Sequence, residues 1–273
     1  MIIIGEKING SIPGVADAIA RRDAAYIKRL AAAQAKAGAA FIDCCASVSE
    51  GEELETLKWL IGCIQEATDL PISLDSPSPD ILAQAVGFCR KPGLINSVSG
   101  AGDKIEKIFP ILAGNPGWQV VALLCDDGGI PADAAGRMRV FDRIMAKADE
   151  YGITPDRIYI DPLVEMLCTG ENGVQTNLAV ISAVREKCPN VHITAAVSNA
   201  SFHLPARKMI HLGFVVLGMH AGLDSAILDP TDRDLMGTVY AVDALLGRDE
   251  DCLAYIRAYR EGLFGHKVRE TEV

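Results

Sequence analysis

No apolar run in this chain approaches the roughly 20 residues that span a bilayer, and the opening "MIIIGEKING" is too short and too soon interrupted for a secretory signal. A soluble, cytoplasmic protein without membrane contact is therefore expected. There is no Lys/Arg-rich block either: 26 basic residues face 36 acidic ones, for a formal net charge of -10. That balance argues against a nucleic-acid footprint and favours small molecules or a basic partner. The eight cysteines, Cys44, Cys45, Cys63, Cys89, Cys125, Cys168, Cys188 and Cys252, form no CxxC pair and read as reduced, mostly buried thiols. Spacing gives adjacent Cys44 and Cys45 no third ligand, so no metal is expected there. His192, His203, His211, His220 and His266 show no metal spacing, and His211 and His220 read as core or surface histidines on a helical stretch. GxSxG, GxxxxGK[ST] and HExxH are absent, which removes the serine-hydrolase elbow, the P-loop and the zincin helix. The loops "GGIP" and "SGAGD" are too weak a signal for a phosphate cradle.

What the chain does contain is an alternation. Its 273 residues are 49% hydrophobic with mean hydropathy +0.20, enough for one large core. Eight β-branched runs recur: "MIIIGEKI" from Met1, "AFIDCC" from Ala40, "PISLDS" from Pro71, "GLINSVS" from Gly93, "WQVVALLCD" from Trp118, "RIYIDPL" from Arg157, "HITAAVSN" from His192 and "AILDP" from Ala226. Helix-like stretches lie near 23–38, 50–68, 79–90, 103–114, 133–151, 175–188, 205–220 and 231–247, several opened by Asp, Ser or Pro. Continuous apolar strands separated by helices imply a parallel sheet covered on its faces. Eight units in one mid-sized α/β chain predict a closed (β/α)8 TIM barrel over 1–247, with 248–273 as an extra C-terminal helix and tail. A doubly wound open sheet is the alternative.

Active sites of such barrels sit at the C-terminal strand ends. Here those ends carry Glu6 and Asn9, Asp43, Asp75 and Ser76, Asn96 and Ser97, Asp126 and Asp127, Asp161, and Ser198 and Asn199. An isolated Asp or Asn after a strand commonly caps a helix or organises an Asx turn, and that reading stands for each one separately. Gathered on one rim they are costlier, since a buried polar group without a partner costs about 1–3 kcal/mol. Ionised Asp accepts two parallel bonds from an amidine-like edge, and Asn both donates and accepts, so it reads a lactam. A pterin presents both edges.

"IGEKIN", "SLDSPSPD", "INSVSG", "YIDPL", "VSNASFHLPARKMI" and "AGLDSAILDPTD" resemble the pterin-binding barrels. The resemblance is strongest to methyltetrahydrofolate:corrinoid protein methyltransferases and the folate module of cobalamin-dependent methionine synthase. It runs from residue 2 to about residue 247. "INSVSG" also resembles a stretch of dihydropteroate synthase, but nothing here matches that enzyme's C-terminal "R.H" strand. The resemblance implies methyl transfer between tetrahydrofolate N5 and the cobalt of a corrinoid protein, in either direction. It makes Asp75, Asn96 and Asp161 pterin-edge binders and turns Asn199 to N5, where it would hydrogen-bond the amine, the proton itself coming from solvent or a held water. Glu6 and Asn9 fall in the family's "GERxN" stretch, with Lys7 in place of Arg. Ser198 and Phe202 belong to the "SNxSF" signature, and Arg207 would meet the benzoyl-glutamate end. "IDCCAS" and "CDDGG" depart from the family's pattern. With no "DxHxxG" corrinoid signature in the chain, cobalamin is expected on a separate protein. A homodimer is implied. A dihydropteroate synthase-like enzyme and a non-catalytic folate-binding barrel are the competing readings.

Overall fold

A computed structural model describes residues 1–168 and 173–265. All eight expected strands form: β1 (Ile2–Asn9), β2 (Phe41–Cys45), β3 (Ile72–Asp75), β4 (Leu94–Gly100), β5 (Gln119–Asp126), β6 (Ile158–Asp161), β7 (His192–Ile193) and β8 (Ser225–Leu228). Among the described residues ten α-helices accompany them: α1 (Pro13–Ala20), α2 (Ala24–Lys36), α3 (Glu50–Ala67), α4 (Pro79–Ala85), α5 (Lys104–Gly114), α6 (Ala134–Glu150), α7 (Gly173–Lys187), α8 (Arg207–Ala221), α9 (Arg233–Leu245) and α10 (Leu253–Arg260). The ladders are parallel and run in the order β7-β6-β5-β4-β3-β2-β1-β8. Between β8 and β7 the seam is closed by Asp224 N–H to Ile193 O at 3.3 Å and Ile227 N–H to Ala195 O at 2.9 Å. Ser225 Oγ adds a buried bond to Thr194 Oγ1 at 3.2 Å. The open-sheet alternative is thereby excluded.

Helix starts follow the residues that satisfy free backbone N–H groups. Asp23 accepts from Tyr26 N–H, Ser78 from Ile81 N–H, Asp133 from Gly136 N–H, and Asp232 from Asp234 and Leu235 N–H. Two stretches depart from the sequence expectation. The short "PGVADAIA" segment forms α1, started by Pro13 and driven by burial of Val15, Ala18 and Ile19. The run expected as a full seventh strand stops after two residues, and Val197–Ser201 curls into a 3-10 turn instead. There Asn199 backbone N–H donates to Ala196 O at 3.2 Å and Ser201 Oγ donates to Ser198 O at 3.0 Å, so these groups serve a turn rather than a ladder.

The strands face two ways, as period-2 geometry requires. One face packs on the helices in the main core, for example Ile3, Ile42, Leu74 and Ile95. The other fills the lower barrel with Ile4, Phe41, Leu94, Val121, Tyr159 and Ile227. At the C-terminal end α10 is held through Phe264, whose ring lies 5.7 Å from that of Tyr240 in α9 and 4.8 Å from Tyr255. The tail from 266, with His266, lies outside the described residues. Among those described, no helix is long and apolar enough to cross a membrane.

Candidate active site at the C-terminal mouth of the barrel

Two residues beyond four of the apolar inward positions the same face becomes acidic or amidic: Ile4 is followed by Glu6, Phe41 by Asp43, Leu94 by Asn96 and Tyr159 by Asp161, while Val121 is followed by Leu123. Asp75 ends β3 in register with Asn96 of β4 and Cys45 of β2. Thus the barrel carries an apolar plug below and a ring of carboxyls and an amide above.

Burial dominates the electrostatics of this ring. It pushes Glu6 up to about 7 and Asp75 and Asp161 up to about 6 from ordinary carboxyl values. Asp43 is raised well above its usual range by burial and then by the neighbouring Asp75. Ser73 Oγ donates to Asp43 Oδ1 at 2.7 Å, partly offsetting that cost. Leu163 N–H donates to Asp161 Oδ1 at 2.7 Å. Carboxyls so raised are poised to ionise when a ligand supplies N–H donors. Burial also raises the thiols of Cys44 and Cys45, which makes both poor nucleophiles. Among the described residues no three His, Cys, Asp or Glu side chains converge as a metal-binding set.

The expected residues beyond this ring are placed differently. Ser198 and Asn199 lie on the 3-10 turn, with Ser198 Oγ donating to Glu6 Oε2 at 3.1 Å. Asn9 closes β1 as an Asx turn: its Oδ1 accepts Ser11 N–H at 2.9 Å and Ser47 Oγ at 3.2 Å. Arg207 braces the turn from behind, its Nε donating to Ser201 Oγ at 2.8 Å and its Nη2 to Ser198 O at 2.9 Å. Its guanidinium also lies 4.8 Å over the half-exposed Phe202 ring. His211 joins the same brace, with Nε2 2.7 Å from Ser201 Oγ.

The profile of pterin binding enzymes matches residues 14–229. This chain belongs to the pterin binding enzyme family. It is 46% identical over 266 residues to the methylcorrinoid:tetrahydrofolate methyltransferase of Eubacterium limosum, covering 97% of this chain and 98% of that protein. It is 28% identical over 241 residues to methionine synthase of Mycobacterium tuberculosis, covering 84% of this chain but 20% of the relative. Dihydropteroate synthase from Xanthomonas albilineans in complex with 7,8-dihydropteroate superposes with a TM-score of 0.64 at 20% identity, over 90% of this chain and 92% of that one. At that identity the likeness concerns the barrel alone.

In this pterin binding enzyme two supporting residues escaped sequence reasoning. Arg137 of α6 is fully buried, its Nε donating to Pro131 O at 2.9 Å and its Nη1 to Pro162 O and Leu163 O. Its Nη2 pairs with Glu165, so one guanidinium ties down the loop that follows Asp161. Gln34 of α2 is also fully buried and accepts Lys7 N–H at 3.0 Å, where the β1–β2 register breaks between Gly5 and Ile8. A Cβ at Gly5 would stand 2.5 Å from Gln34 Oε1, so a larger residue would displace the Gln34 amide from Lys7 N–H. A polar residue on the buried face of each helix was the one available signal.

Proposed function

We propose that this protein transfers a methyl group between the cobalt of a corrinoid protein and N5 of tetrahydrofolate. The observation that carries the reading is the near-full-length 46% identity to a methyltransferase named for that reaction. The relative's name, running from methylcorrinoid to tetrahydrofolate, favours the same direction here.

In this reading Asp75, Asn96 and Asp161 hold the pterin edges, the two carboxylates accepting ring N–H groups and the amide matching the lactam. Support comes from their common inward face and from the raised carboxyls, whose buried charge a ring N–H donor would stabilise. Asn199, on the turn at the end of the seventh strand, faces N5, with Ser198, Glu6, Asn9 and Phe202 around it. Arg207 reaches the folate tail from its stack on Phe202. The methylcorrinoid is a substrate presented by a partner protein at the barrel mouth. Residues 1–247 form the pterin-binding barrel and 248–273 the C-terminal helix and tail. Exposed Met209, Val216 and Leu217 on α8 and Leu245 on α9 supply apolar surface for a homodimer. The free thiols of all eight cysteines suit a reducing cytoplasm.

Incubation with tetrahydrofolate and free methylcob(III)alamin tests the activity. Formation of methyltetrahydrofolate supports it. Folate binding without transfer favours a non-catalytic folate barrel, and loss of both overturns the reading.

A further inference from the structure

Glu6 differs from the other acids of the ring in how it is held. Asp43 is bonded to Ser73, Asp75 sits in the ladder between Cys45 and Asn96, and Asp161 accepts from Leu163 N–H in a loop braced by Arg137. Glu6 instead follows the Gly5 position where β1 leaves register with β2, and a bulge of this kind re-aims the side chain it carries. Its contact is Ser198 Oγ at 3.1 Å, on the residue next to Asn199. The adjacent Lys7 turns away, its Nζ pairing with Asp229 Oδ2 at 3.0 Å. Among the described residues Glu6 therefore has no ion-pair partner. The charged groups facing it are Lys7 from β1, Asp43 from β2, Asp229 beyond β8 and Arg207 from α8.

We propose that Glu6 is the proton-exchanging catalytic residue of the methyl transfer, taking the N5 proton as that nitrogen is methylated and returning it in the reverse direction. The proposal rests on the methyl-transfer reading above. The step balances as follows. The N5 lone pair forms the new N–C bond, the cobalt–carbon bond breaks with both electrons staying on cobalt, and the N5 proton passes to the Glu6 carboxylate. In reverse, protonated Glu6 gives that proton to the departing amine as cobalt takes the methyl group. A neutral amide at Asn199 can orient N5 but cannot carry the proton. Burial, opposed by the Ser198 bond, holds the Glu6 carboxyl near 7, where both of its forms are populated at neutral pH.

Single-turnover rates with tetrahydrofolate and methylcob(III)alamin, and in reverse with methyltetrahydrofolate and cob(I)alamin, test this across pH. The wild-type forward rate should rise through about pH 7 and the reverse rate fall through the same value. Glu6→Gln should abolish both limbs and lower the rates about 100-fold, with folate affinity changed less than about threefold. Ser198→Ala, removing the bond that lowers this carboxyl, should move both limbs to higher pH. Wild-type transfer whose limbs persist in Glu6→Gln, or fail to move in Ser198→Ala, overturns the assignment and leaves the methyl-transfer reading intact. Should Glu6→Gln not fold, the wild-type limbs and the Ser198→Ala shift decide alone. Folate binding with no transfer by the wild type sinks both.

Discussion

Arg137→Met removes a charged side chain of similar length from the wall of the barrel and should loosen the loop that carries Asp161. In the native protein the guanidinium serves Pro131 O, Pro162 O, Leu163 O and the Glu165 carboxylate. These losses are unequal. Leu163 O keeps a second donor, Asn177 Nδ2 at 3.1 Å, and the Glu165 side chain is 42% exposed and stays hydrated. Pro131 O and Pro162 O are left without this donor, at about 1–3 kcal/mol each, giving a loss of ~3 kcal/mol once partial water entry is allowed. Arg137→Lys should recover little, because one ammonium cannot reproduce a planar fork that spans several acceptors. Urea unfolding measures the stability, and titration calorimetry measures folate affinity. Since Arg137 also opposes the burial of the Asp161 charge, the variant should bind folate more weakly even under conditions where it is fully folded. A stability loss below about 1 kcal/mol, with unchanged affinity, would show that the loop does not depend on this residue.

Asp75→Ala and Asp161→Ala should each weaken folate binding by ~1–3 kcal/mol, since each deletes a charge-assisted bond to a heterocycle edge. Calorimetry showing native affinity in folded mutants would return both residues to a structural role. Asn199→Ala should lower the single-turnover rate more than it weakens binding, whereas Asn96→Ala should mainly raise the folate dissociation constant. If Asn199→Ala loses only affinity, its place opposite N5 is wrong. The raised carboxyls also set a pH dependence. Asp161 has a folded value of about 6 against an ordinary 3.8, so the folded state binds the extra proton and stability falls as pH rises between those values. Ionising that group costs ~3 kcal/mol, and Asp161→Asn, which keeps an acceptor for Leu163 N–H, should remove that part of the decline in denaturation at pH 4 and pH 8. An equally steep decline in the mutant would assign it elsewhere.

The sequence by itself determined the strand–helix alternation and most of the rim. Both are short-range properties: β-branched runs of fixed length, helix-starting Asp and Ser residues, and an inward face where an apolar residue precedes an acid two positions on. Ile4 before Glu6 and Tyr159 before Asp161 are readable without any partner in view. Tertiary structure alone decided what those residues meet. "HITAAVSN" opens with strand formers, yet the strand ends at Ile193, and Arg207 and Ser201 bond Ser198 O and hold the following residues in a turn. Arg137 looks like any helix arginine until the fold brings the carbonyls of residues 162 and 163 to it from 25 and 26 positions away. Gln34 likewise acquires its role only where β1 breaks register, and Glu6 only where a turn 192 positions away supplies Ser198. Local pattern encodes which face a side chain takes. Its environment, its titration and its hydrogen-bond partners come from segments distant in sequence, where no periodicity reaches.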